Sequence, residues 1–462
     1  MANKSLLTSL AKTFSTIQDV FAPVSTISST GQLLGTPYLF LSKVTPWDDP
    51  NNPPDISDDQ KTLKTALKNM FAAKRILASD VVPVIERINW TSGTTYEYYR
   101  DDIDINAQDL NGAQLYRFYV MNRYFQVFKC LWNNKYSPSV DEPYFDPGAY
   151  TTNKIYTGPN DGYKWKYMFV VDSAYRNKFL DTNWIPVVPD FIPPSSLDNN
   201  AGCGNIELIN VYNGGSGYDT TNAAVSVVIT GDGTSSSGQA ETTALATATV
   251  SNGSVVSITM TDNGKNYTYA NATIISAIGS GCVLGANTVS PVGGHGDDIA
   301  GELGATHVMF SVEFDGNEDI SIPTDITYYQ AGLIINPLSS SGQLANNTIY
   351  NTTYKHTVAA GAGTYLSSET VYQGDSLSTA TFSATVCSFD SANNLLYTIN
   401  NTGTPTLSAL VFGATSGVSR TALSSTPPNY TIQSGYVTYL ENRAGITRSP
   451  DGIEQFKIVL GY

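Results

Sequence analysis

The chain is short of the residues that carry out chemistry. Three histidines, His295, His307 and His356, are spread over 462 residues. A serine triad or a cysteine–histidine pair would have to draw on one of them. The four cysteines, Cys130, Cys203, Cys282 and Cys387, include no CxxC spacing, which excludes the common zinc and thioredoxin patterns. They read as ordinary thiols, and Cys203 with Cys282 is the pair to consider for a disulfide because the two flank one segment. Charge is scarce as well, at 14% of residues, and acids outnumber bases to give a net charge of −15. A nucleic-acid binder carries a basic patch, so nucleic acid is not an expected partner. No apolar run approaches the 18 or so residues that a membrane helix needs, and the N-terminus lacks the features of a signal peptide.

Loop motifs fail in the same way. The nearest approach to a GxSxG elbow, at Gly214, has Tyr218 where the last glycine belongs. Gly264-Lys265 lacks the rest of a phosphate-binding loop. Asp102, Asp104 and Asn106 start like an EF-hand, but Ala107 and Ala113 stand where glycine and the bidentate glutamate are required. Asn-x-Ser/Thr triplets such as those at Asn89 and Asn266 are expected by chance in so Asn- and Thr-rich a chain.

What is abundant is β-forming and turn-forming: 29 Tyr, 38 Gly and many Thr, Ser and Asn. This profile predicts a mainly β protein, a β-sandwich core with a few helices. Leu6, Leu10, Phe14, Ile17 and Phe21 follow helical spacing. They predict an N-terminal helix that either docks a partner or covers the chain's own core. A second helix is expected over 57–78, with Ser57 and Gln60 at capping-box spacing. Aromatic, strand-like runs follow, notably Leu115–Trp132.

Composition then shifts twice. Residues 202–292 repeat at an offset of about 49, so that Ile209 meets Ile258, Gly215 meets Gly264 and Tyr218 meets Tyr267. Residues 342–430 hold a half-repeat that sets Gly374 against Gly413, and a hairpin pattern with its turn near Asn393-Asn394. The organisation expected is one discontinuous core (1–201, 293–341 and 431–462) interrupted by two separable β modules, the second a small barrel or sandwich.

One stretch tempts a metal reading: GGHGDDIAGELGATH, with His295, Asp297, Asp298, Glu302 and His307. It matches no ligand spacing, and a shaped turn with a hydrogen-bonded histidine is the preferred reading. No metal and no cofactor is expected. Tyr163, Trp165 and Tyr167 alternate on one face of a strand, with Lys164 and Lys166 on the other, and an aromatic core face is the favoured reading. Trp47 and Trp90 sit beside turns as core or interface anchors. Glu441 and Arg443 share one side of a strand, as an internal ion pair or as a contact across an interface.

Seven segments in fixed order carry a resemblance: TPWDDPNNPP with Trp47; VIERINWTSGTTYEYYRDD with Arg87 and Trp90; FYVMNRYFQVFKC; NDGYKWKYMFVV with Asp161, Gly162, Tyr163 and Trp165; GGHGDD with Gly294, His295 and Gly296, then ELGA; QAGLIINPL with Asn336 and Pro337; and SGYVTYLENRAGITR with Tyr439, Glu441, Asn442 and Arg443. Together they resemble the gene-eight baseplate wedge protein of T4-like contractile-tailed phages, in the form found in phages of cyanobacteria. The resemblance covers the core, about 280 residues, and misses both repeat-bearing segments. It implies a mostly β homodimer in the virion, assembled in the host cytoplasm. Such a protein contacts other wedge proteins and helps to transmit the rearrangement that triggers sheath contraction. It brings no catalytic residues. The alternative is a tail-associated receptor- or glycan-binding protein, with Tyr365, Tyr372 and Tyr397 of the second module as the place for a sugar. A glycosidase would need paired carboxylates that do not stand out.

Overall fold

The computed structural model describes residues 4–7, 36–105, 107, 115–147, 155–187, 204–219, 225–231, 243–265, 267–285, 289–291, 295–296, 298–316 and 322–461. The protein is mainly β, with three short helices among these residues. The chain folds as two units: unit 1 from Met1–Val81 and Phe310–Ile458, unit 2 from Val82–Met309 and Val459–Gly461.

The chain opens with β1 (Lys4–Leu7), β2 (Pro37–Ser42), α1 (Gln60–Lys68) and β3 (Met70–Arg75). Next come β4 (Val81–Glu86), β5 (Tyr119–Met121), β6 (Gln126–Trp132), β7 (Ile155–Thr157), β8 (Lys164–Val170), α2 (Ser173–Lys178) and β9 (Trp184–Pro186). The first repeat-bearing segment holds β10 (Asn210–Ser216), β11 (Ser226–Gly231), β12 (Leu245–Ser251), β13 (Ser254–Asp262), β14 (Ala270–Ile275) and β15 (Ser280–Gly285), and α3 (Ile299–Glu302) follows. The chain goes on through β16 (His307–Asp315), β17 (Ile326–Ile335) and β18 (Ile349–Asn351). The second segment supplies β19 (Tyr354–Val358), β20 (Thr370–Gln373), β21 (Phe382–Asp390), β22 (Leu395–Thr402), β23 (Leu410–Gly413) and β24 (Ser419–Thr426), before β25 (Tyr436–Arg448) and β26 (Ile453–Gly461).

Unit 1 is built on a six-stranded sheet of order β1-β25-β17-β2-β3-β18. The sequence at 57–78 splits in two here. Only α1 is helical, capped by Asp59, whose carboxylate accepts the Thr62 N–H at 2.8 Å, and not by Ser57. Met70, Phe71, Ala72 and Ala73 are all buried, as β3 lies between β2 and β18. Four consecutive buried residues fit a strand covered on both faces, and short apolar runs of this kind do not declare their period. The N-terminal expectation is corrected as well. Leu6 lies in β1, which pairs antiparallel with β25, while Leu10, Phe14, Ile17 and Phe21 fall outside the described residues.

The second segment forms a closed antiparallel barrel of order β19-β22-β21-β20-β23-β24. It has its own core of Val358, Val371, Phe382, Val386, Leu396 and Val411, among others. The half-repeat maps onto β20–β21 and β23–β24. Asn394 makes its hairpin turn with φ 56°, and Asp390 accepts the N–H groups of Ala392 and Asn393. The barrel strands begin at Tyr354, whereas composition places the start of the segment at 342. Between these positions β18 joins the main sheet beside β3.

Unit 2 contains the sheet β5-β6-β8-β7 and the β4–β9 pair. A dense aromatic core forms there, with Phe118, Tyr119, Phe128, Tyr163, Trp165 and Phe169 fully buried. In the first segment the 49-residue repeat is structural to the atom. Gly215 and Gly264 both have φ 62°, a left-handed conformation open to glycine. The N–H of each is accepted by the side chain two residues back, Asn213 in one copy and Asp262 in the other. Tyr218 donates its N–H to Gly253 O, and Tyr267 donates to the equivalent Gly204 O, both at 3.0 Å. The copies are interwoven: β10 of the first pairs with β15 of the second, β13 of the second pairs with β12 of the first, and β11 pairs with β14.

Candidate functional site

The polar residues singled out in the sequence gather into buried knots. In unit 2, Asp161 is 5% exposed. Its Oδ2 accepts from Ser139 Oγ and from the N–H groups of Val140 and Asp141 at 2.8–3.0 Å, and its Oδ1 accepts the Tyr163 N–H at 3.0 Å. Gly162 turns with φ 68° beside Asn134, whose side chain donates to Asp161 O. Tyr163 donates its hydroxyl to Ser137 O at 2.6 Å and stacks on Trp165 at 5.4 Å between ring centroids. Tyr163 and Trp165 are fully buried, as an aromatic core face requires. Trp90 donates Nε1 to Ser139 Oγ, and Arg87 donates to Asn89 Oδ1 and to Asp181 O.

The strand face opposite Trp165 is not solvated. Lys166 is 2% exposed and meets Glu207 at 2.7 Å. Beside this pair Lys129, fully buried, lies 3.0 Å from Glu302 Oε2 and 3.1 Å from His295 Nδ1. Its ammonium sits 3.7 Å from the centroid of the Tyr99 ring, against which His295 stands edge-on at 5.3 Å. The Gly296 N–H donates to Glu302 Oε1, which fixes the turn leading into α3. Two lysines and two glutamates balance, so the cluster is electrically neutral when His295 is neutral. Burial, then the neighbouring Lys129, pushes the His295 pKa down. Burial also lowers Lys129, against Glu302. For Glu302 burial acts upward, but Lys129, His295 and the Gly296 N–H outweigh it and hold the carboxyl at about 2.

His295 and Glu302 come together, but around an ammonium, and no group of three or more metal-ligating side chains occurs among the described residues. Asp298 caps α3 by accepting the Gly301 N–H, and His307 packs on Trp184. Gly294, Asp297 and Cys203 lie outside the described residues, while Cys282 is a free thiol.

The unit 1 candidates gather around a second knot, whose centre is the amide pair Asn442 and Gln330. Asn442, 4% exposed, accepts from Gln330 Nε2 at 2.6 Å and donates to Pro54 O at 2.9 Å. Trp47 donates Nε1 to Arg443 O, so the TPWDDPNNPP loop is tied at both ends to β25. Arg443 lies over Phe456, and its distance to Glu441, 3.8 Å, makes a loose ion pair. Tyr439 donates to Glu441 at 3.4 Å. Asn336, with φ 52°, accepts the Thr36 N–H in its side chain and donates its own N–H to Thr36 O, and the carbonyl of Pro337 accepts from Ala345. In the barrel, Tyr365 is interior and bonded to Val411 O, Tyr397 is buried beneath Lys355, and Tyr372 stacks half-buried on Phe412.

Sequence reasoning missed Lys129, Lys166 and Glu207. Lysine in the middle of an aromatic strand run is the one sign that such a run hides a charge, since buried lysine requires a partner. No family model matches the chain, and no curated protein matches it. No helix among the described residues is long and apolar enough to cross a membrane.

Proposed function

We propose that this chain is a structural virion protein, a non-catalytic subunit of the baseplate wedge of a contractile phage tail. One observation carries the reading. Segments that resemble the wedge family contribute buried polar side chains that cross-link separate parts of each unit: Asp161, His295 and Glu302 in unit 2, Trp47 and Asn442 in unit 1. Groups consumed by internal bonds hold a shape and leave little for turnover. A part that transmits force between neighbours needs such rigidity, and buried satisfied networks supply it.

The reading includes a homodimer joined through a charge-poor surface of the core, as a chain of net charge −15 demands. Antibody raised against the chain is expected to decorate the baseplate end of contractile tails in electron micrographs. Labelling of the capsid, of the distal fibres alone, or of no particle would overturn the assignment. Light scattering at micromolar concentration is expected to give twice the 49.7 kDa chain mass, and to hold in high salt.

A further inference from the structure

Arginine is sparse in this acidic chain, at nine residues, yet three of the nine line one groove. Two adjoining cavities of about 360 and 280 Å³ share Arg87 and Asn89. Arg117 lines the first with Thr91, Thr94 and Thr95, and Arg123 lines the second with Trp90 and Phe125. Arg176 lies over the ring of that Phe125 at 4.3 Å, adding a fourth guanidinium at the margin. The acids lining the cavities are Glu86 and Glu142. Glu142 is already committed to Arg123, at 3.0 Å from its Nε. The groove is therefore locally positive on a chain of charge −15.

Its geometry is fixed. Arg87 is pinned through Nε to Asn89 and through Nη1 to Asp181 O, and its Nη2 takes no bond from the described residues. Residues 88–90 run parallel to the edge strand β5, with Met121 N–H donating to Ile88 O and Trp90 N–H donating to Met121 O. In such a ladder the backbone of the intervening Asn89 faces the other way, and it makes no backbone bond among the described residues. A held guanidinium, an exposed second one, three threonine hydroxyls and an open backbone edge are the parts of a site for an extended chain bearing carboxylates.

We propose that this groove binds an extended acidic peptide segment of a protein partner, with carboxylates paired to Arg87 and Arg117 and its backbone alongside Asn89. The proposal goes beyond the wedge assignment, because the groove's chemistry is the same whatever assembly the chain enters. Nucleic acid shares the negative charge, but a long polyanion would run past the groove onto an acidic surface.

The test is fluorescence anisotropy on the full chain, with a labelled peptide of alternating aspartate and serine and a labelled oligothymidylate of equal charge. The peptide is expected to bind and to weaken about tenfold between 50 and 500 mM salt. Both Arg117→Glu and Arg123→Glu sit on exposed side chains, and each is expected to cost about tenfold or more, with Arg117→Lys, which keeps the charge but not the forked donors, weakening binding less than Arg117→Glu. No binding of the peptide at millimolar concentration, binding unchanged in Arg117→Glu, or oligothymidylate binding as tightly as peptide would each overturn the proposal.

Discussion

The two inserted segments enter and leave in the same way yet are tied to their hosts very differently. The barrel starts and ends on paired neighbours, Lys355 beside Thr426. The interwoven module does so at the Ile206–Val289 bridge. The barrel closes its hydrogen-bond ring on itself and carries a complete core. Among the described residues its side-chain ties to the rest of unit 1 are neutral ones, such as Asn400 to Asn69 and Ser388 to Thr324 O. The interwoven module lends Leu208 to the aromatic core of unit 2, sets Tyr212 against Trp132 at 5.0 Å, and supplies the Glu207 that neutralises buried Lys166. An internal repeat is thus no guarantee of independence. Closure without charged ties is the better sign.

The largest expected effect breaks or confirms this contrast directly. Replacing Tyr354–Thr426 with a short Gly-Ser linker is expected to leave a soluble, cooperatively melting protein. Replacing residues 206–289 strands Lys166, at a cost of about 3–5 kcal/mol. It also removes Leu208 for roughly 2–5 kcal/mol more, enough to consume a typical margin. Solubility and thermal melts decide, and equal tolerance of both excisions would end the distinction. Adding Lys166→Leu to the second excision is expected to recover part of the loss.

Next in size is the charged cluster on the interwoven module's side. Glu302→Gln leaves Lys129 buried beside an amide and is expected to cost about 3–5 kcal/mol by denaturant titration. The double variant Lys129→Met with Glu302→Gln should be less damaged than the single one. If it is not, the carboxylate acts through the turn at Gly296 and not through the ion pair.

Acid distinguishes the two regions more gently. In the barrel His356, bonded to Thr398 Oγ at 2.9 Å, is pushed down by burial to about 4. Its folded pKa lies below the unfolded 6.5, so the unfolded chain takes up the proton first. Stability is lost as pH falls from about 6.5 toward 4, at about 1.4 kcal/mol per unit. His356→Leu is expected to flatten that slope in melts between pH 7 and 5. An unchanged slope would locate the acid sensitivity elsewhere, with His295, lowered in the same direction, as the next group to replace.

The smallest effect probes the two-fold relation inside the interwoven module. Tyr218 accepts the Cys282 N–H at its hydroxyl, and Tyr267 accepts that of Ala244. Each phenol thus reaches a backbone segment of the opposite copy. Tyr218→Phe and Tyr267→Phe should each cost about 1 kcal/mol, and by similar amounts. A clear inequality would show that the halves are alike in path but not in load.

How far the sequence could be read depended on the range of the signal. The β class, the Asn394 hairpin and the 49-residue repeat rest on local pattern, and the structure has them all. The helix expected over 57–78 failed at Asn69 because partners on both sides, β2 and β18, decide the state of β3, and β18 lies over 270 residues away in sequence. The cluster was legible only in part. His295 and Glu302 stand seven residues apart and share one motif, whereas Lys129 lies 166 residues from His295. Likewise Lys166 looks like part of a solvated face as long as Glu207 is counted to a different module.

The path of unit 1 has a consequence for synthesis. Its strand β2 pairs with β17, nearly 300 residues downstream, and β17 pairs in turn with β25, a further hundred residues on. At about 5–20 residues per second, β2 leaves the ribosome roughly 15–60 seconds before that neighbour exists. The chain of unit 2 up to Met309 is complete before β17 is made. The apolar β2–β3 pair thus waits with both edges open, toward β17 and toward β18, while the middle of the protein is still being translated, and the interval in which this chain is open to chaperone capture or misassociation is set by its own connectivity.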